Sequence, residues 1–269
     1  MDTLNIKSII AAKKPKLLKI MPRFIIRWLE RITHQDEMNR FYSAHRELKS
    51  IEFAQSTMRL IDPEITLINE ENIPKTGRYI MVSNHPLGGL DGIALVSLIG
   101  RYRSDIKVPV NDLLLYVKPL RGIFVPISKV GKNSRDNFRQ LEAAFESDDL
   151  IIYFPAGLCS RRHKGVIRDP EWKKTIIGKA RETRRDIIPV HFEGRNSDWF
   201  YNLSNFRKKI GIKANIEMLY LVDEMFNQRG KNFTVTVGTP VSYSTFDKSK
   251  SDREWALWLQ DLVYSLHSA

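Results

Sequence analysis

The sequence predicts an α/β fold: a largely parallel mixed sheet flanked by helices, with an N-terminal helical extension. Three observations predict it. Apolar, β-branched runs recur between residues 78 and 238 with helical patterns between them, the alternation that builds a parallel sheet covered on both faces. The chain has 269 residues, 42% hydrophobic and 28% charged, enough to bury an ordinary core in one α/β domain with an appendage. Residues 16–32 and 36–60 carry helical periodicity ahead of the first strand-like run. The boundaries drawn on this basis are 1–60 for an amphipathic helical segment and 61–269 for the α/β domain.

In chain order, "KLLKIMPRFIIRWLERI" (16–32) sets Lys16, Lys19, Arg23, Arg27 and Arg31 along one narrow stripe. Leu17, Leu18, Met21, Phe24, Ile25, Trp28, Leu29 and Ile32 take the opposite side. Ile20 breaks the pattern, and Pro22 marks where the regular helix begins. A basic stripe beside a broad apolar face with Trp and Phe suits a membrane interface. The same face suits packing on the chain's own domain, and amphipathicity alone leaves both readings open. A second helical pattern over 36–60 ends at "DPE". Strands are predicted at 78–83, 106–110, 123–127, 150–154, 187–192 and 233–238, and helices at 92–100, 111–118, 134–147, 170–184 and 252–266. Asp169 followed by Pro170 reads as the N-cap and first turn of the helix at 170–184.

Several function classes lose ground at once. The single cysteine, Cys159, rules out an internal disulfide, disfavours a cysteine-rich zinc site and fits a reducing compartment. No run approaches the ~20 apolar residues that span a bilayer, and "MDTLNIKSIIAAKK" has too short an apolar core for a secretory signal. The expected location is the cytosol or the cytosolic face of a membrane. Net charge is +12, and residues 1–35 supply +6 of it from eight Lys/Arg against Asp2 and Glu30. Such an excess favours anionic lipid, an acidic carrier protein or nucleic acid. Nucleic acid is the weakest of these, because the aromatic–basic interleaving of a single-strand surface is missing. There is no G-x-S-x-G elbow, Walker loop or dinucleotide glycine motif.

Reactive groups of such sheets gather at strand C-termini. Three strand ends stand out: "SNHPLGGLDG" after 78–83, "PISKVGKNSR" after 123–127 and "PAGLCSRRHKG" after 150–154. In the first, His85 is the side chain suited to remove a proton near neutral pH, provided its second ring nitrogen is held. Asp91 can hold it if the turn through Pro86, Gly88 and Gly89 folds back. Asp91 can equally serve only as a helix cap, with His85 a buried structural group. In the third, Arg161, Arg162, His163 and Lys164 follow a Gly-containing turn; fixed guanidinium groups there can grip phosphate or carboxylate, or line a solvated loop. Neighbouring cations alone make Cys159 a weak candidate nucleophile.

Taken together, "NHPLGGLD" (84–91), "RGIFVPISK" (121–129), "YFPAGLCSRR" (153–162) and "IIPVHFEGRNS" (187–197) resemble the glycerolipid acyltransferase family, whose best-known members acylate lysophosphatidic acid. The order and spacing of the blocks agree over roughly residues 60–240. The departures matter. Five residues separate His85 from Asp91 where the family has four, Ser128 and Lys129 stand near a missing arginine, Ala156 replaces a glutamate, and Leu158–Cys159 replaces Thr–Arg. These features resemble the branch with lyso-ornithine and other aminolipid O-acyltransferases and proteins labelled hemolysins, in which "P-V-x-F-x-G-x-N-S" recurs.

The resemblance implies an O-acyltransferase of membrane lipid biosynthesis. It would move a fatty acyl group from a thioester of acyl carrier protein or coenzyme A to the hydroxyl of a lyso-aminolipid, an N-(3-hydroxyacyl) glycine or ornithine. The alternatives are lysophosphatidic acid as acceptor, or water in an acyl-lipid hydrolase. His85 and Asp91 would be catalytic. Arg161, with Arg162, Ser160, Gly157 and Lys129, would bind the acceptor anion, and backbone N–H groups near Gly88, Gly89 or Val125 would hold the oxyanion. No metal or resident cofactor is implied, and the expected place is peripheral, on the cytoplasmic face of the inner membrane.

Overall fold

The computed structural model describes residues 4–13, 15–111, 114–127 and 134–266. Helices α1 (Ile6–Lys13), α2 (Pro15–Ile20), α3 (Arg23–Ile32), α4 (Gln35–Ala44) and α5 (Ser50–Ile61) come first. The α/β part begins with β1 (Glu64–Ile68), β2 (Tyr79–Ser83), α6 (Gly89–Ile99), β3 (Ile106–Val110), β4 (Phe124–Pro126), α7 (Ser134–Glu146) and β5 (Leu150–Tyr153). It continues with β6 (Arg161–His163), β7 (Val166–Arg168), α8 (Thr175–Thr183), β8 (Asp186–Phe192), α9 (Asp198–Lys209), α10 (Leu221–Phe226), β9 (Asn232–Val237) and α11 (Asp252–Ser265). The main sheet runs β1-β9-β8-β2-β5-β3-β4, with β6 and β7 a separate antiparallel hairpin. Every pairing in the main sheet is parallel except β8 with β9, so the α/β, largely parallel mixed sheet is present as expected.

Alternation along the central strands builds two cores, since successive side chains leave a strand on opposite faces. Met81 of β2, Ile152 of β5 and Ile188 of β8 face one core with Leu90, Leu95 and Leu98 of α6. Ile80 and Val82, Ile151 and Ile187 face the other, under Ile176 and Ile177 of α8 and Trp255 and Leu259 of α11. The first core also takes Met38 and Phe41 from α4 and Phe53, Ala54, Met58 and Ile61 from α5, so it continues across residue 60. From β2 the chain crosses to β3 through α6 on one face; from β5 it crosses to β8 through α8 on the other. Neighbouring strands whose connections leave in opposite directions open a crevice beyond their C-terminal ends, and β2 and β5 are such a pair.

Some elements differ from the sequence expectation. The pattern at 36–60 is two helices, because a break at 45–49 lets both apolar faces reach one core. The segment 111–118 is not an α-helix: short 3-10 turns occupy Leu114–Tyr116 and Lys118–Leu120, where Pro119 lacks an N–H for a longer ladder. Helix α6 starts at Gly89, three residues early, and α8 starts only at Thr175. Helix α3 divides its apolar residues, burying Ile26, Leu29 and Ile32 while Phe24 is 71% exposed. Among the described residues no helix is long and apolar enough to cross a membrane.

Candidate active site

Strand β2 runs out at Ser83, and the next residue anchors the turn beyond it. The buried Asn84 amide donates to Phe192 O (2.9 Å) and accepts from Phe192 N (2.7 Å), tying the end of β2 to the end of β8. The chain then turns through Pro86, Leu87 and Gly88. Gly88 sits at φ +79°, and a Cβ there would come within 2.8 Å of Leu221 Cδ2, so glycine answers both the backbone angle and the crowding. From the far side of the turn, Asn196 of the "GRNS" segment donates to Pro86 O (3.2 Å).

Asp91 lies in the first turn of α6, fully buried. Its Oδ2 accepts from Leu87 N (2.9 Å) and Gly88 N (3.2 Å), and its Oδ1 accepts from Gly92 N (2.8 Å). The same Oδ1 stands 2.9 Å from His85 Nδ1, the two groups meeting off the ideal hydrogen-bond line. Asp91 is therefore both cap and imidazole partner. The His85 ring rests against Phe154, centroids 4.2 Å apart, with 19% of its side chain exposed. Burial alone pushes the imidazole pKa down; the Asp91 charge and contact, followed by the Asp169 charge, outweigh it and hold the pKa above the ordinary 6.5. Since Nδ1 belongs to Asp91, Nε2 is the nitrogen left to take a proton.

A second carboxylate pins the backbone of the same histidine. Asp169 Oδ1 accepts from His85 N (3.1 Å) and from Ser160 Oγ (2.6 Å), and Oδ2 accepts from Trp172 Nε1 (3.0 Å). Ser160 N in turn donates to His85 O (2.8 Å). Burial raises the Asp169 pKa, and these donors and the nearby imidazole work against that rise. Asp169 is thus an internal hub between two strand ends, which corrects its reading as a helix N-cap.

The basic segment behaves differently from expectation. Arg161 is buried: it pairs with Glu217 (2.9 Å), donates to Cys159 O (2.7 Å) and lies over the Phe200 ring. Glu217 is also held by Arg207 (Nε to Oε2, 2.5 Å); burial opposes its charge, but Arg207 and Arg161 together keep the carboxyl below its usual range. Arg162 reaches Asp198 (2.7 Å) and Asn202 on α9. Arg161 thus ties the hairpin to the turn at Ile216–Tyr220 and Arg162 ties it to α9, so each guanidinium expected at the acceptor anion has a carboxylate partner within the chain. The Ser160 hydroxyl is likewise taken by Asp169. Cys159 is fully buried, and burial pushes its thiol up to about 11, partly offset by Arg161, so it is not a thiolate at neutral pH.

With this geometry in place, comparison with known proteins gives a consistent result. Residues 8–269 match the acyltransferase family. The chain belongs to that family. Relatives of this acyltransferase include a lyso-glycine lipid O-acyltransferase of Bacteroides thetaiotaomicron, 50% identical over 98% of this chain and 97% of that one. Another protein of that name, from Phocaeicola vulgatus, is 47% identical over 98% and 95%. Among solved structures, the 1-acyl-sn-glycerophosphate (LPA) acyltransferase PlsC of Thermotoga maritima shares the fold, with TM-score 0.50 and 16% identity, over 98% of this chain and 94% of that one.

The remaining candidates of the acyltransferase sort by their surroundings. The Gly88 N–H is given to Asp91. Gly89 heads α6, where a first-turn N–H lacks an intrahelical acceptor, and a Cβ there would meet open space. Val125 is no oxyanion donor: Val108 N donates to Ile123 O and Ile127 N to Val110 O, a register that takes the Val125 N–H into the ladder. Gly157 sits at φ +68° in the turn closed by its N–H to Phe154 O (3.1 Å). Lys129 lies outside the described residues. Sequence reasoning missed the parts that Asp169, Phe154, Asn84 and Asn196 play around His85. Asn84 and Asn196 stand within the first and last family-like blocks, whereas the partnership of Glu217 with Arg161 had no local signal.

Proposed function

We propose that this acyltransferase esterifies the hydroxyl of a lyso-glycine lipid, an N-(3-hydroxyacyl)glycine, with a fatty acyl group from an acyl thioester. The observation that carries the mechanism is the His85 imidazole braced by the buried Asp91 carboxylate at a strand end. His85 Nε2 takes the proton of the acceptor hydroxyl as its oxygen attacks the thioester carbonyl carbon. Asp91 orients the ring and stabilises the imidazolium that forms. The N–H of Gly89 at the head of α6 supports the oxyanion, where the helix dipole favours negative charge. As the C–S bond breaks, the imidazolium returns the proton to the departing thiolate sulfur, and no acyl-enzyme is needed. The donor is a substrate; acyl carrier protein is acidic, and a +12 chain attracts it.

Delivery of a two-chain product calls for a membrane surface, and one face suits it. Phe24 and Ile20 of the N-terminal helices and Trp199, Phe206 and Ile210 in and beside α9 are exposed. Trp28, Tyr220 and Trp199 form an edge-to-face chain joining the two regions. Exposed Lys16, Lys19, Arg23, Arg27, Lys208 and Lys209 accompany them. Inserting such an apolar side chain gains ~1.5–3 kcal/mol and each cation ~1 kcal/mol near anionic lipid.

The test is reconstitution. Purified protein with N-(3-hydroxyhexadecanoyl)glycine and acyl-carrier-protein or coenzyme A thioesters should yield the diacylated glycine lipid, and His85→Ala should lose it by several orders of magnitude. Esterification of lysophosphatidic acid alone, or release of free fatty acid alone, would overturn the reading. Flotation with anionic vesicles, weakened in Phe24→Ser/Trp199→Ser, checks the surface.

A further inference from the structure

The acceptor proposed above carries one free carboxylate, and the two arginines nearest in sequence to the third strand end are committed to Glu217, Asp198 and Asn202. Arg168 from the same hairpin is paired with Asp261 and stacked on Tyr264. Lys164, Lys173 and Lys174 have no such partner among the described residues, and of these Lys173 is the one that reaches the turn at Gly157. Lys173 is exposed, and its Nζ occupies the space that a Cβ at Gly157 would fill. The absence of a side chain at 157 is what admits the ammonium to this turn.

Its position is set by the fold. Lys173 N donates to Pro155 O (3.2 Å), and the preceding Trp172 is fully buried, with its indole N–H on Asp169. The stem of Lys173 therefore starts from a fixed point on the same hub that pins the His85 backbone. The chain of contacts to the reacting group is short. Lys173 lies on Gly157, Gly157 N closes the turn onto Phe154 O, and the Phe154 ring lies against the imidazole at 4.2 Å. In the acceptor, carboxylate and 3-hydroxyl are separated by roughly 8 Å when extended, by ordinary bond lengths. A flexible four-carbon stem with a compact charge can follow a carboxylate at that separation while the hydroxyl stays at Nε2.

We infer that Lys173 is the acceptor-specificity residue of this enzyme: its ammonium, seated over Gly157, holds the carboxylate of the glycine lipid. This rests on the lyso-glycine lipid reading. Lys173 takes no part in proton transfer; it contributes binding common to ground and transition states, so its loss appears in KM rather than kcat.

The experiment pairs a change in the enzyme with a change in the substrate. Acylation of N-(3-hydroxyhexadecanoyl)glycine is compared with that of the corresponding glycinamide, which keeps the shape and loses the charge. Wild type should prefer the acid by about 10- to 100-fold in kcat/KM, the worth of a charged hydrogen bond. Lys173→Met should treat the two alike, at the wild-type rate for the amide, and Lys173→Arg should restore part of the preference. A Lys173→Met enzyme that keeps the preference, or loses activity equally on both acceptors, overturns the inference and leaves the acyl-transfer reading standing. Wild type that acylates neither acceptor overturns the reading itself, and this inference with it.

Discussion

Replacing Asp91 with asparagine tests the dyad without changing its shape. Unit charges 2.9 Å apart attract by about 6 kcal/mol at an effective dielectric near 20, which caps what Asp91 can give the imidazolium. Burial of the pair offsets part of it, and a tautomer-setting carboxylate is worth ~10⁴ in rate, about 5.5 kcal/mol, inside that cap. D91N should therefore lower kcat by roughly 10³–10⁴. The asparagine NH₂ must face either the Leu87 and Gly88 N–H donors or the Gly92 N–H and imidazole, and this conflict costs ~1–3 kcal/mol of stability. The pH profile supplies an independent readout. His85 acts as a base only when neutral, and its pKa is raised, so wild-type kcat/KM should climb with pH through a limb above 6.5. Without the Asp91 charge, burial and the Arg161 charge pull the pKa down against Asp169 alone, so the residual activity of D91N should show its limb at lower pH. Rates would be read by mass spectrometry of the acylated product, with thermal melting to confirm that the variant is folded at the assay temperature. Folded D91N that keeps a tenth of the wild-type rate, with its limb unmoved, would refute the reasoning.

Three further outcomes are expected from the same geometry. Arg161→Met leaves buried Glu217 with one guanidinium fewer and should cost about 3 kcal/mol in denaturant unfolding, with acceptor KM unchanged; a raised KM at unchanged stability would return Arg161 to the acceptor site. Cys159→Ala should keep kcat, and the folded wild type should resist iodoacetamide at neutral pH because the thiol is fully buried and burial pushes its pKa up to about 11; rapid alkylation would contradict this. Gly88→Ala should destabilise by ~1–3 kcal/mol through its positive φ and the Leu221 contact, whereas Gly89→Ala, facing open space, should stay within ~0.5 kcal/mol; equal melting temperatures for the two variants would count against this account of the turn.

The strands were legible where both faces are buried, because a run such as "YIMVS" has no solvent side to dilute it. Strand β1 escaped notice since "EITLI" is an edge strand that exposes alternate residues, and β6 and β7 since three basic or mixed residues make no pattern. The helix start expected at Asp169 was misplaced for a specific reason: an Asp-Pro pair satisfies the local rules for a cap, but this carboxylate binds His85 N, Ser160 Oγ and the Trp172 indole instead, and α8 begins only at Thr175. A local rule lost to three contacts that lie between 3 and 84 residues away in sequence.

Periodicity and residues adjacent in the chain were enough to establish the α/β class, the strand end that carries His85 and the family resemblance. The purpose of each charge came from the folded molecule alone. Arg161 and Arg162 stand beside the site in sequence yet are consumed by Glu217 and Asp198, while Lys173, sixteen residues past Gly157, is brought back onto its turn. The physical reason, for a charge as buried as that of Arg161, is that it must find a partner wherever the fold supplies one, and the partner's distance along the chain has no bearing on that demand.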